Sequence, residues 1–317
     1  MNVVVVGAGE WGTAFAHLLA ERGHAVTLAA RDADQAQAIA ATGRNPRYLP
    51  DVSLAGVGAA PLEDAPFDGA ELVVIAVPSQ AFGEVVRALA YDGPVLSLTK
   101  GLDPASGERL STLLGKRPVA VLSGPNFAEE IGHGLPAAAV IASEDSELAE
   151  RLQREINSLI FRVYVNQDLV GTELAAAAKN VMALAAGGVD GLGLGDNAKS
   201  GIVTRGLAEM ARLGEACGGR SETFAGLAGI GDLIATCWST HGRNRRAGEL
   251  IAQGTSPDEA AAQIGTVEGL TTAPVLRELS QRVGVEMPIT NAVCDILDGH
   301  SLDELIAGLM GRRPTAE

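Results

Sequence analysis

The stretch ELAAAAKNVMALAAGG, residues 173–188, sets Lys179 and Asn180 in a run of small and apolar residues. Three and four positions from Lys179 stand Ala175, Ala176, Met182 and Ala183, none of which can pair with an ammonium group. Glu173 lies six residues back, about 240° round a helix, and so on another face. A segment that is apolar nearly all round reads as a buried helix. Burial disfavours the ammonium form, and a second cation such as Lys100 nearby would disfavour it further, which makes Lys179 a candidate proton donor and acceptor. The same pattern also suits a lysine whose stem packs on alanines while its head reaches water.

Other residues could complete such a site. GLAGIGDLIATC (226–237) holds Asp232 among apolar residues and glycines, where a carboxylate needs a partner; Lys179 is the candidate cation. GRNRRAG (242–248) concentrates Arg243, Arg245 and Arg246 in a strongly acidic chain, a pattern that suits either a phosphate clamp, with Asn244 adding a neutral donor, or a solvated helix start. LTKGLD (98–103) ends a strand at Lys100, within reach of a ligand lying beyond the sheet. SGPNFAEEI (123–131) follows another strand and opens a helix whose free N–H groups would favour an anion or a polarised carbonyl; taken alone, this stretch and LTKGLD suit a structural turn as well as a ligand loop.

A nucleotide site is indicated at the N-terminus. GAGEWG supplies Gly7, Gly9 and Gly12 in G-x-G-x-x-G spacing, directly after NVVVV and before the helical TAFAHLLAERG. Gly7 would permit the tight turn, Gly9 the close approach of a pyrophosphate, and Gly12 close packing of helix on strand. At the end of the second strand, LAARD, the ribose contact is decided by Arg31 and Asp32: an acid accepts from the 2′-OH of NAD, whereas arginine accommodates the 2′-phosphate of NADP. With Arg31 first, NADP(H) is favoured and NAD(H) tolerated; the alternative is that Arg31 is a solvated surface charge.

These residues need elements to hold them. Apolar runs at 2–6, 25–30, 72–77, 94–99, 118–123 and 136–142 alternate with amphipathic segments, as a parallel sheet covered on both faces requires. The reading is an α/β N-terminal doubly wound (Rossmann) domain over 1–167, followed by an all-α C-terminal domain over 168–317. Helices are expected near 168–187, 199–215, 243–253, 257–264, 270–283, 288–298 and 301–310. The boundary falls near FRVYVNQD (161–168).

Composition bounds the function. The chain has 317 residues, 47% of them hydrophobic, enough for two domains with a sizeable core. A net charge of −15 argues against nucleic-acid or anionic-membrane partners, so an anionic ligand must meet local positive charge. Cys217, Cys237 and Cys294 form neither a disulfide framework nor a zinc motif, which suits a reducing cytoplasm. No basic leader or uninterrupted membrane-length apolar run is read, and membrane insertion is not expected.

Taken together, GAGEWGTAFA, NPRYLPDV, VPSQAFGEVV, TKGLD, SGPNFAEEI, AAAAKNVMALAAGGVDGLGLGDNAKS, IVTRGLAEM, AGIGDL, RNRRAG, VEG and GVEMPIT closely resemble bacterial NAD(P)-dependent glycerol-3-phosphate dehydrogenases along essentially the whole chain. The resemblance implies reversible reduction of dihydroxyacetone phosphate to sn-glycerol 3-phosphate for glycerophospholipid synthesis, in a homodimer. It implies Lys179 as the catalytic proton donor and acceptor. Lys100, Gly124, Asn126, Asn180, Asp232, Thr236, Gly242, Arg243 and Asn244 would surround the small phosphorylated substrate. The cofactor would be lined by Gly7, Gly9, Glu10, Trp11, Gly12, Arg31, Tyr48, Ala128 and Glu268, with Lys100 and Arg243 shared. Gly242 stands where serine is usual, passing a phosphate contact to backbone N–H, and Asn126 where serine or threonine is usual. VEGLTT replaces a VEG followed by a basic residue. A β-hydroxyacid dehydrogenase would set lysine and asparagine four apart, but position 183 is Ala. A non-catalytic NADPH sensor would need neither the lysine nor the arginines.

Overall fold

The structure, a computed structural model, describes residues 1–300. Contacts divide the chain into two units: Met1–Asp103 with Glu108–Glu173, and Pro104–Gly107 with the chain from Leu174 onward.

The first unit is built on one eight-stranded sheet: β1 (Asn2–Val6), β2 (Ala25–Ala30), β3 (Val57–Pro61), β4 (Leu72–Ile75), β5 (Val95–Ser97), β6 (Val119–Ser123), β7 (Ala137–Ala142) and β8 (Phe161–Asn166), in the order β3-β2-β1-β4-β5-β6-β7-β8. Its helices are α1 (Glu10–Glu21), α2 (Ala33–Thr42), α3 (Ser79–Ala88), α4 (Ala128–Gly132) and α5 (Ser146–Ile156). β1 shows why a continuous apolar run was required. Val3 and Val5 join a core with Phe15, Leu19 and Ile39 from α1 and α2, while Val4 and Val6 join one with Phe82 and Val86 from α3. Both faces of the strand are buried, so neither can be polar.

The sheet departs from an all-parallel reading at one seam. β6 pairs antiparallel with β7, whereas every other pairing is parallel. Two strands were not anticipated. β3 is VGAAP, short on β-branched residues, and β8 alternates buried and exposed at its start where the sequence suggested only a boundary. Both are edge strands, and an edge strand need not be apolar on both faces. The order of the first six strands reverses between β1 and β4, which fixes the ligand crevice at the carboxyl ends of the strands there.

The second unit is helical: α6 (Leu169–Gly191, which begins in the first unit), α7 (Gly195–Ala216), α8 (Ser221–Phe224), α9 (Asp232–Trp238), α10 (Arg243–Ala252), α11 (Pro257–Ile264), α12 (Glu268–Val283) and α13 (Pro288–Leu297). α8 and α9 were not foreseen, since glycines interrupt the apolar pattern there. The helix expected at 301–310 lies outside the described residues. α6 is long and apolar enough to cross a bilayer, and 89% of its most apolar window is buried within the protein.

Glycines let α10 lie directly on α6. A Cβ on Gly248 would overlap the Leu184 carbonyl, and one on Gly187 would overlap the Arg245 carbonyl. Backbone meets backbone at this crossing, which brings the start of α10 against the middle of α6.

Candidate active site

In the first unit, the loops after β1, β2, β5 and β6 gather the predicted cofactor and substrate residues at one end of the sheet. Gly7 has φ +112°, a conformation that glycine tolerates, and a Cβ there would stand 2.6 Å from the Ala76 carbonyl oxygen after β4. A Cβ on Gly12 would overlap the Gly7 carbonyl, so the first turn of α1 presses on the loop. Gly9 faces open space and is the N-cap of α1 without a side-chain cap, leaving helix N–H groups for an anion. Glu10 opens α1. Trp11 packs edge-on against Phe15, and its buried Nε1 has no hydrogen-bond partner among the described residues, a donor suited to a ligand. Open space at Gly9, an uncapped helix start and an orphaned indole N–H together fit a dinucleotide.

The loop 43–54 is tied to this cradle by a residue the sequence did not single out. Asn45 is fully buried; its Nδ2 donates to the Ala8 carbonyl (3.0 Å) and Thr13 Oγ1 (2.8 Å). Its Oδ1 accepts from Gln35 Nε2 and from the backbone N–H groups of Arg47 and Tyr48. Tyr48, predicted at the cofactor, is 44% exposed at the tip of that loop. Arg31 is exposed at the end of β2. Asp32 is the N-cap of α2, accepting from Asp34 and Gln35 N–H. The Gln35 amide and the Arg47 guanidinium hold its carboxyl below the usual carboxylate range.

Lys100 lies beyond β5, its Nζ donating to Asn126 Oδ1 (2.7 Å) and to the Gly124 carbonyl (3.0 Å). Thr99 supports this turn by donating to the Val77 carbonyl. Asn126 Nδ2 is buried with no partner among the described residues, so the asparagine presents an N–H donor beside an ammonium group. Ala128 begins α4, which spans five residues. No side chain caps its start, which leaves its first N–H groups unclaimed by a cap.

In the second unit the lysine question is answered. Lys179 Nζ donates to Asp232 Oδ1 and to Thr236 Oγ1, each at 2.8 Å, and Thr236 Oγ1 donates to the Asp232 carbonyl at 2.7 Å. Lys179, Asp232 and Thr236 are 6%, 2% and 4% exposed, so this lysine does not reach water. A π-helical turn at Leu227–Gly231 precedes Asp232 and sets the angle at which α9 presents it. Burial pushes the neighbouring Cys237 thiol up to about 12, so it stays protonated. Glu173, in the second turn of α6, accepts from Ser111 N–H (2.9 Å), Ser111 Oγ (2.6 Å) and Arg109 (2.8 Å) in the first unit; burial still raises its carboxyl.

Asn180 and Asn244 are joined: Asn244 Nδ2 donates to Asn180 Oδ1 at 3.0 Å, and Asn244 Oδ1 accepts from Gly269 N–H at 2.8 Å. One amide thus links α6, α10 and the start of α12, next to Glu268. The arginine cluster is sorted by the structure. Arg243 is exposed at the first position of α10, while Arg245 is ion-paired with Asp190 (2.7 Å) and Glu249 (3.2 Å) and donates to the Ser239 carbonyl. Arg245 is therefore not part of a three-arginine clamp; its charge is spent inside the fold. Lys199 also pairs with Asp190 (2.7 Å) and stands 5.3 Å from the Trp238 ring centre. Although burial opposes it, hydrogen bonds from Lys199 and Arg245 hold the Asp190 carboxyl low. A Cβ on Gly242 would stand 2.8 Å from the Thr236 carbonyl oxygen, so a side chain there would push on the turn carrying Thr236.

Two family models cover the chain: the NAD-dependent glycerol-3-phosphate dehydrogenase N-terminus over residues 2–149 and its C-terminus over 168–307. The chain is 47% identical to glycerol-3-phosphate dehydrogenase [NAD(P)+] of Moorella thermoacetica, covering 100% of this chain and 97% of that one. It is 45% identical to the Prosthecochloris aestuarii protein of the same name, covering 100% of both. Among solved structures, glycerol-3-phosphate dehydrogenase from Coxiella burnetii matches with TM-score 0.93 and 37% identity, over 98% of this chain and 99% of that one. With a nucleotide cradle on the first unit, a buried lysine–aspartate pair on the second, and these likenesses end to end, the chain belongs to the NAD-dependent glycerol-3-phosphate dehydrogenase family.

Proposed function

We propose that Lys179 is the proton donor and acceptor in the reaction of this family, the NAD(P)-dependent reduction of dihydroxyacetone phosphate to sn-glycerol 3-phosphate, and that NADPH is favoured over NADH. The observation that carries the first part is the geometry at Nζ. An ammonium group has three N–H donors. Two are fixed by Asp232 and Thr236, which orients the third toward a single acceptor and holds the side chain in one rotamer.

When bound, the nicotinamide supplies a hydride to C2 of the ketone. The negative charge that develops on the ketone oxygen is met by the third N–H of Lys179, which transfers its proton to that oxygen; the amine regains a proton from water that enters once product has left. Asp232 stabilises the ammonium before transfer and keeps its position afterwards. Fixed donors of this kind act without reorganisation during the reaction, which is where most of the rate gain arises. Arg243 and the first N–H groups of α10, which no side chain caps, bind the phosphate. Asn244 holds Asn180 and α12 in register. Lys100, Gly124 and Asn126 add donors and backbone shape from the first unit; Glu10, Trp11, Tyr48, Ala128, Glu268 and the three glycines line the cofactor.

The NADPH preference is supported by exposed Arg31 at the end of β2, together with the engagement of Asp32 in capping α2. The buried, unbridged thiols of Cys237 and Cys294 support a reducing, cytoplasmic setting. A homodimer serving glycerophospholipid synthesis is carried over from the family. The test follows oxidation of NADPH and NADH with dihydroxyacetone phosphate as substrate. Lys179→Ala is expected to lower kcat by about 10²–10⁴-fold, the usual range for losing a general acid; a near-normal kcat would remove Lys179 from the mechanism. Higher kcat/KM with NADH than with NADPH would reject the cofactor preference.

A further inference from the structure

We propose that Arg47 is a second cation for the 2′-phosphate of NADPH, held ready by Asp32, so that the Asp32–Arg47 pair tunes discrimination between phosphorylated and unphosphorylated dinucleotide. The inference rests on the NADPH reading above.

Three observations converge on it. Asp32, which in an NAD site would accept from the ribose 2′-OH, has both oxygens committed: Oδ1 accepts from Asp34 N–H (2.9 Å) and Gln35 N–H (3.2 Å), and Oδ2 pairs with Arg47 Nη1 at 2.5 Å. The guanidinium is thereby fixed at the carboxyl end of β2, beside the residue that follows Arg31 in the chain. Arg47 is also anchored through its backbone: its N–H donates to Asn45 Oδ1 (3.1 Å), and Asn45 in turn holds the Ala8 carbonyl of the glycine loop. The arginine is therefore built onto the nucleotide cradle by a fully buried side chain. Finally, the Arg47 side chain is 54% exposed, and one contact with Asp32 leaves other N–H groups of its planar fork available. Arginine binds phosphate through two parallel N–H bonds, which a dianion next to Arg31 would accept. In its absence the carboxylate of Asp32 keeps the guanidinium in place, and on binding it competes with the phosphate for the same group.

The experiment is direct titration of NADPH and NADH by fluorescence, with 2′-AMP and 5′-AMP as competing probes, on wild type, Arg31→Ala, Arg47→Ala and Asp32→Asn, each checked for folding by its melting curve. Arg47→Ala is expected to raise the Kd of NADPH and of 2′-AMP by about tenfold or more, the loss of a charged hydrogen-bonding partner, while NADH and 5′-AMP change by less than about twofold. Asp32→Asn keeps a helix cap but releases Arg47, and is expected to tighten NADPH selectively. An Arg47→Ala variant that leaves NADPH binding unchanged, or weakens both dinucleotides equally, overturns the proposal. If Arg31→Ala is selective and Arg47→Ala is not, the NADPH reading stands and this inference alone fails. If wild type binds the two dinucleotides equally, both fail.

Discussion

Lys179 on α6 and Asp232 on α9 form an ion pair of 2.8 Å in which the two side chains are 8% and 3% exposed. Two charges so far from water are tolerable only together. Removing one leaves the other buried and uncompensated, at a cost of about 3–5 kcal/mol. Asp232→Ala is therefore expected to lower the melting temperature sharply as well as abolish activity. Replacing both charges by apolar residues, Lys179→Met with Asp232→Leu, is expected to recover most of that stability and none of the activity. Calorimetry alongside turnover separates the two effects; a double variant as unstable as Asp232→Ala would show that the pair itself holds the fold.

This pair was legible in the sequence because it follows from what cannot be left alone: a carboxylate and an ammonium group, each in an apolar run, need each other. The inner strands were legible for a similar reason, since burial of Val3 to Val6 on both faces leaves no room for polar residues. What the pattern hid lies where those constraints relax. The edge strands β3 and β8 tolerate glycine and exposed positions, and the reversal at β7 is invisible to composition. Asn45 acts through side-chain bonds to distant backbone, which have no periodic trace. Arg245 and Arg243 read alike in RNRR, yet Asp190, 55 residues from Arg245, decides that only one of them is drawn into the fold.

Gly248 on α10 sits where any side chain would meet the Leu184 carbonyl of α6. Gly248→Ala should push the helices apart, at a cost of about 1–3 kcal/mol typical of overpacking. The same shift would stretch the 3.0 Å bond from Asn244 to Asn180 and displace Arg243, which heads the same helix. The variant is expected to raise KM for dihydroxyacetone phosphate more than KM for NADPH. An equal effect on both, or none, would show that α10 does not carry the phosphate contact.

Glu209 on α7 is 2% exposed and serves as an external cap for α13: one carboxyl oxygen accepts from Ile289 N–H at 2.6 Å, the other from Thr290 N–H at 3.3 Å and Thr290 Oγ1 at 3.4 Å. Burial pushes its carboxyl up to about 7, with the two backbone N–H groups, Arg212 and the Thr290 hydroxyl only partly opposing it. Because the folded value lies above the unfolded one, the folded protein binds the proton more tightly. The stability this contributes is complete below about pH 4.5 and is lost as pH rises toward about 7. At about 1.4 kcal/mol per unit the change amounts to roughly 3–4 kcal/mol at most. Glu209→Gln cannot ionise and keeps a carbonyl oxygen for Ile289. Denaturant titrations of both proteins between pH 4 and 8 are therefore expected to show wild type losing stability relative to the variant across that window. Parallel curves would mean that Glu209 binds its proton equally well in the folded and unfolded protein, and that burial at the start of α13 does not shift it.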